Sequence, residues 1–192
     1  MDRPELLSPA DWHGFLRSYS AEFLDSEFLH ELESEGRDKY FVSEVQRSSG
    51  WLGYEPATEE EIATTEKRIG TRLPPTYRNF LLASNGWSTI SYAVDLRKVD
   101  DIGWFADLEP NIMKTWSELE HFADHIELLK QCLLISDDNG GSGQYLLLHA
   151  SSAGDNADWD AYEWWPGDGE APEHYENFAA MVTTLHQDYH ED

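Results

Sequence analysis

The chain has 192 residues, with 38 Asp and Glu against 13 Lys and Arg, giving a formal net charge of −25. Such a surface repels nucleic acid and anionic lipid and attracts basic proteins, which argues against polyanion binding. Eight Trp, nine Tyr and eight Phe supply enough bulky apolar area for the charge to coat a packed core, and the length suits one substantial domain or one with a helical extension.

Residues 1–50 read as helical. Ser8-Pro9-Ala10-Asp11 supplies an N-cap serine, a proline at the first helical position and an early acid, followed by Trp12, Phe15, Leu16, Tyr19 and Phe23 at helical spacing. A second set, Phe28, Leu29 and Leu32, runs to Gly36. Ser48-Ser49-Gly50 marks a turn-prone boundary before Trp51.

Thr58-Glu59-Glu60-Glu61 is a capping box, and the helix it opens carries Ile62, Glu66 and Ile69 before Gly70. Leu73-Pro74-Pro75 leads into another helix with Tyr77, Phe80 and Leu81, ended by Asn85-Gly86. From Ser91 the period becomes two, with Tyr92, Val94 and Leu96 on one side, so a strand is expected, and Ile102, Trp104 and Phe105 are candidates to extend the sheet.

Ser117-Glu118-Leu119-Glu120 is a second capping box, predicting a helix with Leu119, Phe122, Ile126 and Leu129. Cys132–Ile135 and Gln144–His149 then read as a hairpin around the polar, glycine-rich stretch Asp137–Gly143. Ala161–Trp165 is a further strand, Pro166–Gly169 a turn, and Phe178, Met181, Val182 and Leu185 the core face of a C-terminal helix.

The charge is lopsided. Beyond Lys130 there is no lysine or arginine, while residues 131–192 hold 13 acids. Within that stretch Asp155, Asp158, Trp159, Asp160, Glu163, Trp164 and Trp165 combine carboxylates with indoles. One of Trp164 and Trp165 must face inward on a strand. Trp159 with the acids suits either a core or an interface in which an aromatic anchor is rimmed by charge. The candidate partner-binding residues are therefore Asp137, Asp138, Asp155, Asp158, Trp159, Asp160 and Glu163.

Other chemistry is poorly supplied. Asp137 and Asp138 lack the ligand spacing of a cation loop, and the acids from Asp155 onward miss the glycine of a calcium loop. His121 with His125, and His186 with His190, have helical i,i+4 spacing and no evident third ligand. No Gly-x-Ser-x-Gly elbow or phosphate loop occurs, and the one cysteine, Cys132, lies in an apolar run where burial is expected. No enzyme activity, metal or cofactor is expected. The N-terminus lacks a signal layout and no eighteen apolar residues run together, so the expectation is a cytoplasmic protein with no membrane or nucleic-acid partner.

Trp51-Leu52-Gly53-Tyr54-Glu55-Pro56, the helix with Ile62, Glu66, Ile69 and Gly70, then Leu73-Pro74-Pro75-Thr76-Tyr77-Arg78-Asn79-Phe80-Leu81 and Asn85-Gly86-Trp87, resembles the SUKH superfamily. That group spans bacterial immunity proteins and fungal cell-wall-synthesis regulators. The resemblance covers about residues 51–190 and implies an α+β fold, with a mixed or mostly antiparallel sheet backed by helices. Residues 1–50 would be a helical extension to a SUKH-like domain of residues 51–192. It further implies an antitoxin that binds a toxin domain, nuclease or deaminase, of a polymorphic toxin system, and the acidic C-terminal third adds the expectation that this domain is basic. The alternative it implies is an intracellular regulatory or scaffold protein. Neither residue pattern nor resemblance sets the oligomeric state.

Overall fold

The computed structural model describes residues 6–91, 94–119, 122–138, 143–150 and 158–191. Hydroxyl side chains start the N-terminal helices: Ser8 before α1 (Pro9–Leu24), Ser26 before α2 (Glu27–Ser34), Ser43 before α3 (Glu44–Ser49) and Thr58 before α4 (Glu59–Ile69). Each accepts from an amide that has no partner inside its helix. At α4 the box closes as expected, the Thr58 N–H donating to Glu61 Oε2 at 2.7 Å. That backbone bond, aided by the Thr58 hydroxyl, holds the Glu61 carboxyl below its ordinary range. Helix α5 (Pro75–Leu81) begins with proline at its first position, where an amide would be unpaired anyway.

The strands are β1 (Trp87–Ser91), β2 (Val94–Leu96), β3 (Gly103–Trp104), β4 (Cys132–Leu134), β5 (Ser136–Asp138), β6 (Tyr145–His149), β7 (Ala161–Trp164) and β8 (Glu173–Tyr175). Between β3 and β4 lie α6 (Phe105–Leu108), α7 (Pro110–Ser117) and α8 (Ala123–Leu129), and α9 (Phe178–Glu191) follows β8. All strand pairs are antiparallel, ordered β1-β2-β5 in one sheet and β3-β4-β6-β7-β8 in the other. Ile135 separates β4 from β5 and stays in the ladder, donating to Leu146 O at 3.1 Å and accepting from Arg97 N at 2.8 Å. One strand therefore belongs to both sheets.

Alternation along these strands divides the interior in two. Leu133, Ile135, Leu146, Leu148 and Ala161 face a large core shared with Trp12, Leu16, Tyr19 and Phe23 of α1, Ile62 of α4, Tyr77 and Phe80 of α5 and Phe178 of α9. Cys132, Leu134, Leu147 and Trp164 face a smaller core closed by Phe105, Met113, Phe122, Ile126 and Leu129. Trp12 lies edge-on to Phe80 at 5.4 Å, and α1 is thus built into the main core. The Tyr19 hydroxyl reaches 70 residues along the chain to donate to Thr89 O at 3.3 Å and Ile90 O at 3.0 Å. Thr89 has φ 55° at the irregularity in β1, and its amide donates to Asp95 Oδ1 at 2.7 Å. These bonds hold a backbone conformation that a β-branched residue rarely takes.

Several elements differ from the sequence reading. Strand β1 begins at Trp87, straight after Gly86, whose φ of 95° and 2.8 Å separation of an added Cβ from Leu96 O require glycine there. Phe105 opens a helix instead of extending the sheet. Ser117 ends α7, its hydroxyl donating to Lys114 O at 2.7 Å, and the next α-helix opens only at Ala123. Asp137 and Asp138, within the stretch Asp137–Gly143 read as a connection, instead belong to strand β5 against β2. Strand β8 was not anticipated.

Candidate partner-binding surface

Strand β7 sets the site's geometry because its side chains alternate between the faces. His149 N–H donates to Asp160 O at 2.9 Å, so ladder pairing extends one residue before Ala161. Asp160 and Tyr162 then face the side of the smaller core, and Ala161 and Glu163 face the side of the larger one. The sheet thus separates two of the acids that the sequence places three residues apart.

Glu163 is engaged from three directions. Gln144 Nε2 donates to Oε1 at 2.6 Å, Trp165 Nε1 to the same oxygen at 2.7 Å, and the Tyr175 hydroxyl to Oε2 at 3.1 Å. Asp158 accepts from the Thr76 hydroxyl at 2.9 Å, tying the chain before β7 to the start of α5. Burial pushes its carboxyl above the ordinary range despite that bond and those from the Trp159 and Thr76 amides; the Glu176 charge adds to the rise.

Trp159 is 4% exposed and packs in the main core, as does Trp164 in the smaller one, whereas Trp165 is half-buried. The position that suited an interface anchor is therefore an interior residue. Asp137 is exposed and lies 3.4 Å from Arg97 Nη2. Asp138 is the last residue of β5, opposite Val94. Asp155 lies outside the described residues.

The exposed acidity lies further along the chain. Asp168, Glu170, Glu173 and Glu176 are exposed on the turn and the edge strand β8, beyond the residues singled out from sequence. Their signal was present in the missing lysines and arginines, but the edge that collects them depends on β8 pairing.

Around Asp160 the second face presents rings. In register, Cys132 lies opposite His149, Leu147 opposite Tyr162, and Tyr162 opposite His174. Ring centroids are 6.2 Å apart for His149 and Tyr162 and 5.3 Å for Tyr162 and His174. His174 Nε2 is 3.3 Å from Asp160 Oδ2, with the His174 side chain 55% exposed. Burial lowers the His149 pKa, with Asp160 opposing, and raises that of Tyr162, with Asp160 adding to the rise. One carboxylate thus influences both half-buried rings. Nearby, a shallow cavity of about 470 Å³ is lined by Trp104, Ala106, Asp107, Lys130, Gln131 and Ala150.

Other sequence-flagged chemistry finds structural explanations. Cys132 is fully buried and its thiol is pushed up to about 12 by desolvation. His125 packs on Phe122 at 4.6 Å, and His186 of α9 meets Glu22 of α1 at 2.9 Å. His121 and the His190 side chain lie outside the described parts. Among the described residues no three or more His, Cys, Asp or Glu are placed to share a metal ion, and no helix is long and apolar enough to cross a membrane.

The antiparallel sheets and the helices packed on them, with an acidic edge at β8, define an α+β domain. Residues 56–184 match the SMI1 / KNR4 family (SUKH-1), and the chain belongs to that family. The superfamily includes immunity proteins and regulators. No curated protein matches the chain.

Proposed function

We propose that this protein is a cytoplasmic, non-catalytic immunity protein that binds and neutralises a basic toxin domain of the nuclease or deaminase class. The observation that carries the reading is the charge of the C-terminal third. Thirteen acids and no lysine or arginine follow Lys130, on a chain belonging to a superfamily that includes immunity proteins. A nuclease domain needs a cationic surface to hold phosphates, and an acidic protein of complementary shape can occupy it. The contact surface combines Asp160 on one face of the sheet with the exposed Asp168, Glu170, Glu173 and Glu176 along the β8 edge. Asp158 and Trp159 act from inside by holding the approach to β7. Residues 1–50 are a helical addition to a SUKH-like domain of residues 51–192, with α1 recruited into its core.

Coexpression with a toxin-like domain encoded beside its gene tests the reading. Growth should be restored, and the association rate of the purified pair should fall by roughly 10-fold or more between low and high salt. Failure to rescue growth or to bind any such domain overturns the proposal. A salt-independent rate removes the steering role.

A further inference from the structure

The face bearing His149, Tyr162 and His174 is a part of the sheet that the α6–α8 layer does not fully close. Its residues all follow Lys130, and none carries positive charge except a protonated histidine. Tyr162 lies directly across from His174 and diagonally from His149, which faces Asp160, so the three rings are neighbours with the Asp160 carboxylate beside them. Tyr162 is half-buried and backed by the smaller core, giving it a defined position, while His174 is exposed at the end of the row. Ladder alternation also turns the His174 backbone N–H and C=O outward from the β8 edge, because Ala161 and Glu163 use the edge positions facing Tyr175 and Glu173.

The rings are inclined to one another, by 72° for His149 and Tyr162 and 60° for Tyr162 and His174, and a single ring with one carboxylate beside it matches a guanidinium better than an ammonium. The planar cation stacks on a ring while its paired N–H groups reach a carboxylate, whereas an ammonium is a hydrated point charge. The neighbouring cavity gives a cation less, since Lys130 lines it together with Asp107. From this juxtaposition we infer that the His149–Tyr162–His174 row with Asp160 is an arginine seat, through which a basic protein partner docks a guanidinium onto Tyr162. The inference rests on the reading of the protein as a binder of a basic domain and names the place and side chain of that contact. The His174 imidazole lies 3.3 Å from Asp160 Oδ2 in the free protein and, with its side chain 55% exposed, swings aside as the guanidinium docks.

The test uses the full chain and two probes of equal charge, capped nona-arginine and nona-lysine peptides, with affinity read by fluorescence anisotropy at fixed ionic strength. The wild-type protein should prefer the arginine peptide by roughly two- to fivefold, the range of an exposed cation–π contact. Tyr162→Leu, which keeps apolar backing, and Asp160→Asn should abolish the preference, while Tyr162→Phe and the exposed, distant Glu31→Gln should retain it. Circular dichroism checks that each variant is folded, and His174→Ala tests the row at an exposed position in case Tyr162→Leu does not fold. Equal binding of both peptides by the wild type, or a preference that survives Tyr162→Leu, Asp160→Asn or His174→Ala, overturns the seat. Growth rescue that persists in the Asp160→Asn variant with no loss of toxin affinity likewise removes the seat and leaves the immunity reading standing; absence of any toxin binding by the wild type removes that reading itself.

Discussion

On the sheet face bearing Leu133, Leu146 and Ala161, helices α1, α5 and α9 contribute large rings that interlock around Phe178, with Tyr77 at 4.9 Å and Trp12 at 5.3 Å. On the opposite face α6, α7 and α8 cover Cys132, Leu134 and Leu147, while Tyr162 stays half-buried and His174 exposed at the β8 end. The first face uses its aromatic residues for cohesion. The second leaves part of its aromatic area open to solvent, so ring content alone does not distinguish interior from surface.

Truncations should expose this asymmetry. Trp12→Ala removes a fully buried indole from the larger core and should lower stability by about 3–5 kcal/mol, read from the urea midpoint. Met113→Ala, in the smaller core and 9% exposed, should lower it by about 2 kcal/mol. If Met113→Ala proved as damaging as Trp12→Ala, the contrast between the two faces would be wrong.

A subtler probe is Asp158, whose carboxyl is raised by burial. A carboxyl with a folded pKa above its unfolded one holds its proton more tightly in the native state. Its contribution to folding is therefore fully present below the unfolded pKa and is lost as pH rises through the folded value. Asp158→Asn keeps an acceptor for Thr76 and deletes the titration. The variant should gain stability relative to wild type as pH rises from the ordinary carboxylate range through the raised value, in denaturation curves recorded across that window. A constant difference would place the carboxyl in a more solvated setting than the structure gives it. The smallest effect belongs to Cys132: with the thiol buried and raised to about 12, Ellman's reagent should leave the native protein unmodified and react only after denaturant is added.

Much of the scaffold was legible because its signals are local. The Thr58 box, the Leu73-Pro74-Pro75 entry and the stripe from Phe178 to Leu185 each involve residues within a few turns of one another. Ser117 misled for a related reason: it matches a helix start, yet Pro110 opens α7 earlier and leaves Ser117 at the far end. The acidic cluster around Asp158–Glu163 was visible as composition, but its division between two faces follows from the pairing of Asp160 with His149. The ring row was hidden more deeply. Tyr162 and His174 meet only through the register of β7 with β8, a relation between separated segments that no local pattern encodes.

The stretch Cys132–Asp138, lying in both sheets, also has a consequence for cooperativity. Detaching either sheet would leave this shared strand with one side of its ladder broken, so neither half has an inexpensive route to open alone. Heating should accordingly give a single calorimetric peak, and amide protons bonded within this stretch should exchange with deuterium only through whole-molecule unfolding.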